Sequence, residues 1–248
     1  MTTDNQLNIY RIKLLPVKIF YFFFLLLIVN NNFAQDSSRI VVKAGDEISD
    51  ILTSDKIYQY AEFSKGKIIF RDHRTTEAML NYNYLNSEIE FISSGKDTLA
   101  IANHQKPTIQ QIILNNDTFF YDDGYVQQVL QTQLGKLAKR SMLIVLKKDL
   151  VGAYGQSTNT TKAETIAAFR DYYGSTTKTS IKGLENITLV YKTEFFWGDK
   201  YSAFLPANKN NLIKLFPSKK QMISNYLKEN HVDFKNSNDL KKLLLFLE

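Results

Sequence analysis

From Ser38 to about Leu150 the chain reads as short strands, some of them compact apolar runs and some with apolar residues at every second position. Leu80, Tyr82 and Tyr84 alternate with Asn81 and Asn83, and Ile89 and Phe91 alternate with Glu88 and Glu90. Successive side chains on a strand point to opposite faces, so this period predicts half-buried strands. Further strands are predicted at Lys67 to Arg71, around Leu99 and Ile101, and at Ile109 to Leu114, Thr118 to Tyr121, Tyr125 to Leu130 and Met142 to Leu146. The clusters Asp72-His73-Arg74, Ser94-Gly95-Lys96-Asp97, Asn115-Asn116-Asp117 and Asp122-Asp123-Gly124 supply the turns between them. A strand about every ten residues predicts an antiparallel meander.

The pattern then changes. Between Gly152 and Gly183, 15 of 32 residues are Gly, Ser, Thr or Asn. That predicts a flexible exposed loop over about 152–183. Strong strand patterning returns at Ile187 to Trp197 and at Tyr201 to Leu205. From about 208 to 248 the period becomes helical. Asn211 to Phe216 is stopped by Pro217. Ser218 and Gln221 have capping-box spacing ahead of Met222, Ile223, Tyr226 and Leu227. Leu240, Leu243, Leu244 and Leu247 form an i, i+3, i+4, i+7 stripe, with Asn236, Ser237 or Asn238 placed to cap it. The expected class is α+β: mainly an antiparallel β meander with two to three short C-terminal helices.

The first residues follow another logic. Arg11, Lys13 and Lys18 precede an unbroken apolar run from Ile19 to Val29, and a polar break then ends at Ala34. Charge, short apolar core and small residue in that order predict a secretory signal peptide over 1–34, cleaved between Ala34 and Gln35. A run of 11 residues is short against the ~20 a spanning helix needs; an uncleaved anchor is the competing reading. Residues 35–248 are then expected to form a single strand-rich domain. No further apolar stretch is long enough for a transmembrane span after signal removal.

Composition sharpens this picture. The chain has no cysteine, which excludes disulfides, thiolate metal sites and a thiol nucleophile. It also leaves no thiol for a lipid tether beside the cleavage site. The formal charge is +6; removal of residues 1–34 leaves +4, so part of the basic excess belongs to targeting. Lysine outnumbers arginine 25 to 6 and is dispersed, whereas base readout relies on arginine. No nucleic-acid partner is expected.

Several stretches resemble a group of uncharacterised exported proteins of Bacteroidota. They are Gly66 to Phe70, Ala78 to Asn83, Glu88 to Ile92, Asp97 to Ala100, Leu205 to Pro217 and Asp239 to Leu243. The resemblance covers most of the chain beyond the signal and lies in strand and helix patterning. It implies export and a single domain, and it brings no catalytic residues. Asp97-Thr98-Leu99 also resembles the short O-glycosylation acceptor motif of Bacteroidota, which makes Thr98 a candidate modification site.

Chemical motifs are sparse. No glycine pair has GxG spacing, and Ser94-Gly95-Lys96 lacks the rest of a P-loop. His73, His104 and His231 show no ligand spacing, and there is no GxSxG elbow. Glu88 and Glu90 share one strand face and are expected to face water opposite Ile89 and Phe91. No catalytic, cofactor-binding or metal-ligating residue is assigned. Aromatic side chains at Tyr82, Tyr84 and Trp197 are the candidate ligand contacts, with core filling as the competing role. The expected function is a non-catalytic binding or structural accessory of the cell envelope, in the periplasm or at the cell surface. Its partner would be an envelope protein or glycan. The alternatives are a hydrolase acting on glycan or peptide, and a docking module that uses an exposed strand edge.

Overall fold

Turn chemistry cuts the middle of the chain into hairpins. His73, Lys96, Asn115 and Asp123 take positive φ at the predicted turns, and Ser87 does so between two further strands. The computed structural model describes residues 39–151, 157–160 and 185–248. The predicted signal peptide and its Ala34–Gln35 junction lie outside the described residues.

The strands are β1 (Arg39–Val42), β2 (Ser64–Phe70), β3 (Thr75–Asn83), β4 (Glu88–Ile92), β5 (Thr98–Ala100), β6 (Ile109–Leu114), β7 (Asp117–Tyr121), β8 (Tyr125–Gln131), β9 (Lys136–Val151), β10 (Ser157–Thr160), β11 (Glu185–Gly198) and β12 (Phe204–Pro206). Two single-turn helices, α1 (Ile48–Ile51) and α2 (Ser54–Ile57), follow β1. Three helices end the chain: α3 (Lys209–Leu215), α4 (Lys220–Glu229) and α5 (Ser237–Phe246). The class is α+β, with a mainly antiparallel, meander-like sheet and short C-terminal helices.

All the described strands join one sheet in the order β1-β11-β9-β8-β7-β6-β2-β3-β4-β5, with β10 on β9 and β12 on β11. Every pairing is antiparallel. Two features depart from a simple meander. β6 pairs with β2 rather than β5, and the N-terminal β1 pairs with β11. The sheet also curls on itself: Leu143 N on β9 donates to Tyr84 O just past β3 at 2.9 Å. Of the predicted loop 152–183, residues 157–160 are described, and they pair along β9 as β10.

Apolar residues fill three main places. Inside the curl, Leu80, Tyr82, Ile89, Ile112, Phe119 and Tyr125 pack together. Under α1 and α2, Leu52 meets Val42, Leu143, Val145 and Leu189. Against the far end of β9 and β11, the helices bury Leu212, Ile223, Leu240, Leu243 and Leu244 on Leu137 and Trp197. The helix starts follow their caps. Asn208 accepts from Asn211 N, and Asn236 accepts from Asn238 N and Asp239 N. The predicted Ser218–Gln221 box does not form. Pro217 starts a 3-10 turn that takes in Ser218, α4 begins at Lys220, and Gln221 donates instead to Asn225 at 3.0 Å.

Candidate functional site

Three turns converge on the middle of β9. They are the β3–β4 turn with Asn86 and Ser87, the loop before β6 with Asn103 and Lys106, and the β7–β8 turn with Asp123 and Gly124. With Arg140 to Ile144 of β9 they enclose a polar cleft of about 440 Å³ at the mouth of the curl.

An ion pair lies in its wall. Lys106 Nζ donates to Glu88 Oε1 at 2.7 Å, and the two side chains are 4% and 11% exposed. Lys106 points inward because it opens the 3-10 turn Lys106–Thr108 that leads into β6. The Tyr121 ring lies 5.9 Å from its ammonium. A buried charge is costly without a partner, and each member of this pair supplies one for the other.

Arg140 forms the opposite rim. Its Nη2 donates to the carbonyls of Asp122 and Asp123 at 3.3 and 3.0 Å, and its Nε to that of Tyr125 at 3.3 Å. The guanidinium also covers the Phe196 ring at 5.0 Å. These bonds tie the β7–β8 turn to β9. Gly124, at φ +113°, permits the approach: a Cβ there would sit 2.9 Å from the Arg140 Cζ.

Behind the wall the Tyr125 hydroxyl is buried and finds no hydrogen-bond partner among the described residues. Burial, the Glu88 charge and then Tyr121 push its ionisation well above the ordinary phenol value. The site thus offers two cations, two carboxylates, amides and hydroxyls in a small concave space. That set suits hydrogen bonding to a small polar or zwitterionic molecule.

The expectation that Glu88 and Glu90 face water is corrected. Both are buried, at 9% and 7% exposure. The segment after α2 crosses this face, and Glu90 accepts from Tyr58, Asn83 and Asn86 at 2.8, 3.0 and 3.2 Å. Both carboxylates are engaged by donors rather than presented as an open pair.

The aromatic candidates are placed in the core. Trp197 is 0% exposed, packs under the C-terminal helices and donates its indole N–H to Asn208 O at 3.2 Å. Tyr82 is buried, stacks on Phe119 and donates to Ser141 O. Tyr84 is half-buried, edge-on to Tyr82 and Tyr191. None of the three lines the cleft, and each packs against other apolar or aromatic side chains. Thr98 opens β5, the outermost strand on its side of the sheet, and all of β5 is exposed. His73, His104 and His231 are exposed and lie outside the cleft. Among the described residues no three His, Asp or Glu side chains converge as a metal site, and no helix is long and apolar enough to cross a membrane.

Lys106 and Arg140 carry the cleft, and sequence reasoning passed over both. The one local sign was arginine, scarce in a lysine-rich chain, opposite a Gly-containing turn. The chain matches no family model, no curated protein and no solved structure.

Proposed function

We propose that the protein is an exported cell-envelope accessory that binds rather than transforms its ligand, and that the cleft at the mouth of the curl receives a small polar molecule such as a glycan fragment or short peptide. The observation that carries this is the Lys106–Glu88 pair, buried in the wall of a concave polar space. Such a pair gives little net stability over an apolar replacement. Placed beside a cavity, it offers a donor and an acceptor already fixed for a polar ligand. The charged, apolar and small-residue order of residues 1–34 supports export, and the likeness to exported Bacteroidota proteins agrees with it.

The test is a thermal-shift and calorimetric screen of purified protein against soluble envelope glycan fragments and short peptides. A ligand at a hundredfold excess over Kd should stabilise by about 2.7 kcal/mol. Asn103→Ala, on the rim, should weaken the same ligand without changing the ligand-free unfolding midpoint. Asn86→Ala should weaken it too, while also losing the hydrogen bond to Glu90 and so lowering that midpoint. Binding unaffected by either rim variant would place the ligand elsewhere. Turnover of the bound compound would overturn the non-catalytic reading in favour of the hydrolase.

A further inference from the structure

Beyond Arg140, two hollows adjoin along the β11 side of the sheet, beneath the connector to α5. The first, about 810 Å³, is walled by Phe195, Phe196, Phe204, Pro206 and Phe234. The second, about 550 Å³, is walled by Lys139, Lys235 and Lys241 with Gln127 and Gln128. They share Thr193, Phe195 and Lys235, so they form one groove with an aromatic half and a cationic half.

Charge differs between the halves: Arg140, Lys192 and Lys235 accompany three carboxylates in the aromatic hollow, and only lysines carry charge in the cationic one. The groove's carboxylates, Asp122, Asp123 and Glu194, line only the aromatic hollow. Two of them are engaged: Asp122 accepts from Phe204 N at 2.6 Å, and Glu194 pairs with Lys192 at 2.8 Å. No carboxylate lines the cationic hollow. Among the described residues, Lys139, Lys235 and Lys241 form no ion pair. Three lysines line this hollow with no carboxylate among them, so an anion bound there meets a net positive charge. The start of α5 does not serve as the anion receptor, because Asn236 Oδ1 already accepts from the amides of Asn238 and Asp239 at 2.9 and 3.4 Å.

We propose that this groove binds an amphipathic anion: one apolar chain with a carboxylate or phosphate head. The head sits among the three lysines, and the chain lies along Phe195 and Phe234, the partly exposed phenylalanines of the aromatic hollow. This site is separate from the cleft at Lys106–Glu88, with which the aromatic hollow shares only Asp123 and Arg140. Its failure would leave the proposed function standing, and the reverse holds too.

The experiment is titration calorimetry of the full chain below the critical micelle concentration. The probes are dodecanoate, dodecyl phosphate, inorganic phosphate and the uncharged dodecyl maltoside. One or both charged amphiphiles should bind saturably at one per chain, and the preferred head tells a carboxylate source from a phosphate source. Inorganic phosphate and dodecyl maltoside should each bind at least tenfold more weakly. Affinity should fall on shortening the chain, by up to about fourfold per methylene. The combined variant Lys139→Gln, Lys235→Gln and Lys241→Gln changes half-buried or exposed side chains. It should lose at least tenfold in affinity with an unchanged unfolding midpoint. Equal binding of the uncharged amphiphile, equal binding of bare phosphate, an unaffected triple variant, or no saturable binding would each overturn the proposal.

Discussion

The Tyr82 hydroxyl on β3 donates a 2.8 Å hydrogen bond to the Ser141 carbonyl on β9. Four strands, β8, β7, β6 and β2, lie between them in the sheet order. The bond therefore spans the interior of the curl rather than a ladder. The ring in between stacks on Phe119, with centroids 5.6 Å apart. Tyr82→Phe keeps the ring and removes only the bridge, so it should cost about 1 kcal/mol in denaturant unfolding. Tyr82→Ala also opens a cavity and should cost about 3–5 kcal/mol. Equal stability of Tyr82→Phe and the parent would show that the bridge does not hold the curl.

The Lys106–Glu88 pair gives a second test. Removing one partner of a buried pair strands the other charge, so Lys106→Met should destabilise by about 3–5 kcal/mol. Replacing both, as Lys106→Met with Glu88→Leu, removes the stranded charge and should recover most of that loss. A double-mutant cycle by guanidinium unfolding measures the coupling. Additive single effects would mean that the two groups do not depend on each other.

These two relationships also mark the limit of what the sequence disclosed. Turns were legible because their chemistry is local: Asn115 and Asp123 tolerate positive φ, and they sit at hairpin tips. β6 was legible at both ends because its buried residues, Ile109, Ile112 and Leu114, are all apolar. β9 was seen only over Met142 to Leu146, although it runs from Lys136 to Val151. Lys139, Arg140 and Ser141 interrupt its apolar pattern, and pairing with β11 along its length overrides that interruption. Glu88 and Glu90 were misplaced for the same kind of reason. What buries them is Lys106 and the Tyr58 segment, which are distant in sequence, so alternation within β4 carries no sign of it. The candidate cleft depends on the curl, and its one local trace was an arginine in a lysine-rich chain.

Tyrosine burial sets an alkaline limit on stability. Burial is the first cause that raises the ionisation of Tyr58, Tyr60, Tyr82, Tyr84 and Tyr125 above the ordinary value of 10.0. Glu90 adds to it at Tyr58 and Asp117 at Tyr60, each through a hydrogen bond from the phenol. Folding thus favours the neutral phenols. Their contribution is whole below about pH 10 and falls as the pH rises through and beyond that value. Phenolate absorbance followed with circular dichroism should show these tyrosines ionising together with unfolding, above pH 10. The chain in guanidinium should titrate near 10. Early, independent ionisation of all the tyrosines in the folded protein would contradict the burial.

Among the described glycines, Gly135, in the turn before β9, is the one where an added methyl would meet a backbone atom most closely. A Cβ there would lie 2.5 Å from the Gly198 carbonyl oxygen and 2.6 Å from Phe216 Cζ. The carbonyl cannot retreat, because Gly198 is paired with Lys136 in the β9–β11 ladder. Phe216 is packed with Leu137, Trp197 and the C-terminal helices. Gly135→Ala should therefore destabilise by about 1–3 kcal/mol through overpacking. It should also move the fluorescence of Trp197, the chain's only tryptophan, toward that of a more exposed indole. Gly95→Ala is the matched control, since its nearest neighbour would be Asp97 Oδ2 at an ordinary 3.5 Å. Reducing the freedom of the unfolded chain there should leave stability unchanged or raise it by about 0.4–1 kcal/mol. If the two alanines had equal effects on the unfolding midpoint, the close approach of the β8–β9 turn to Phe216 would not be a constraint on the fold.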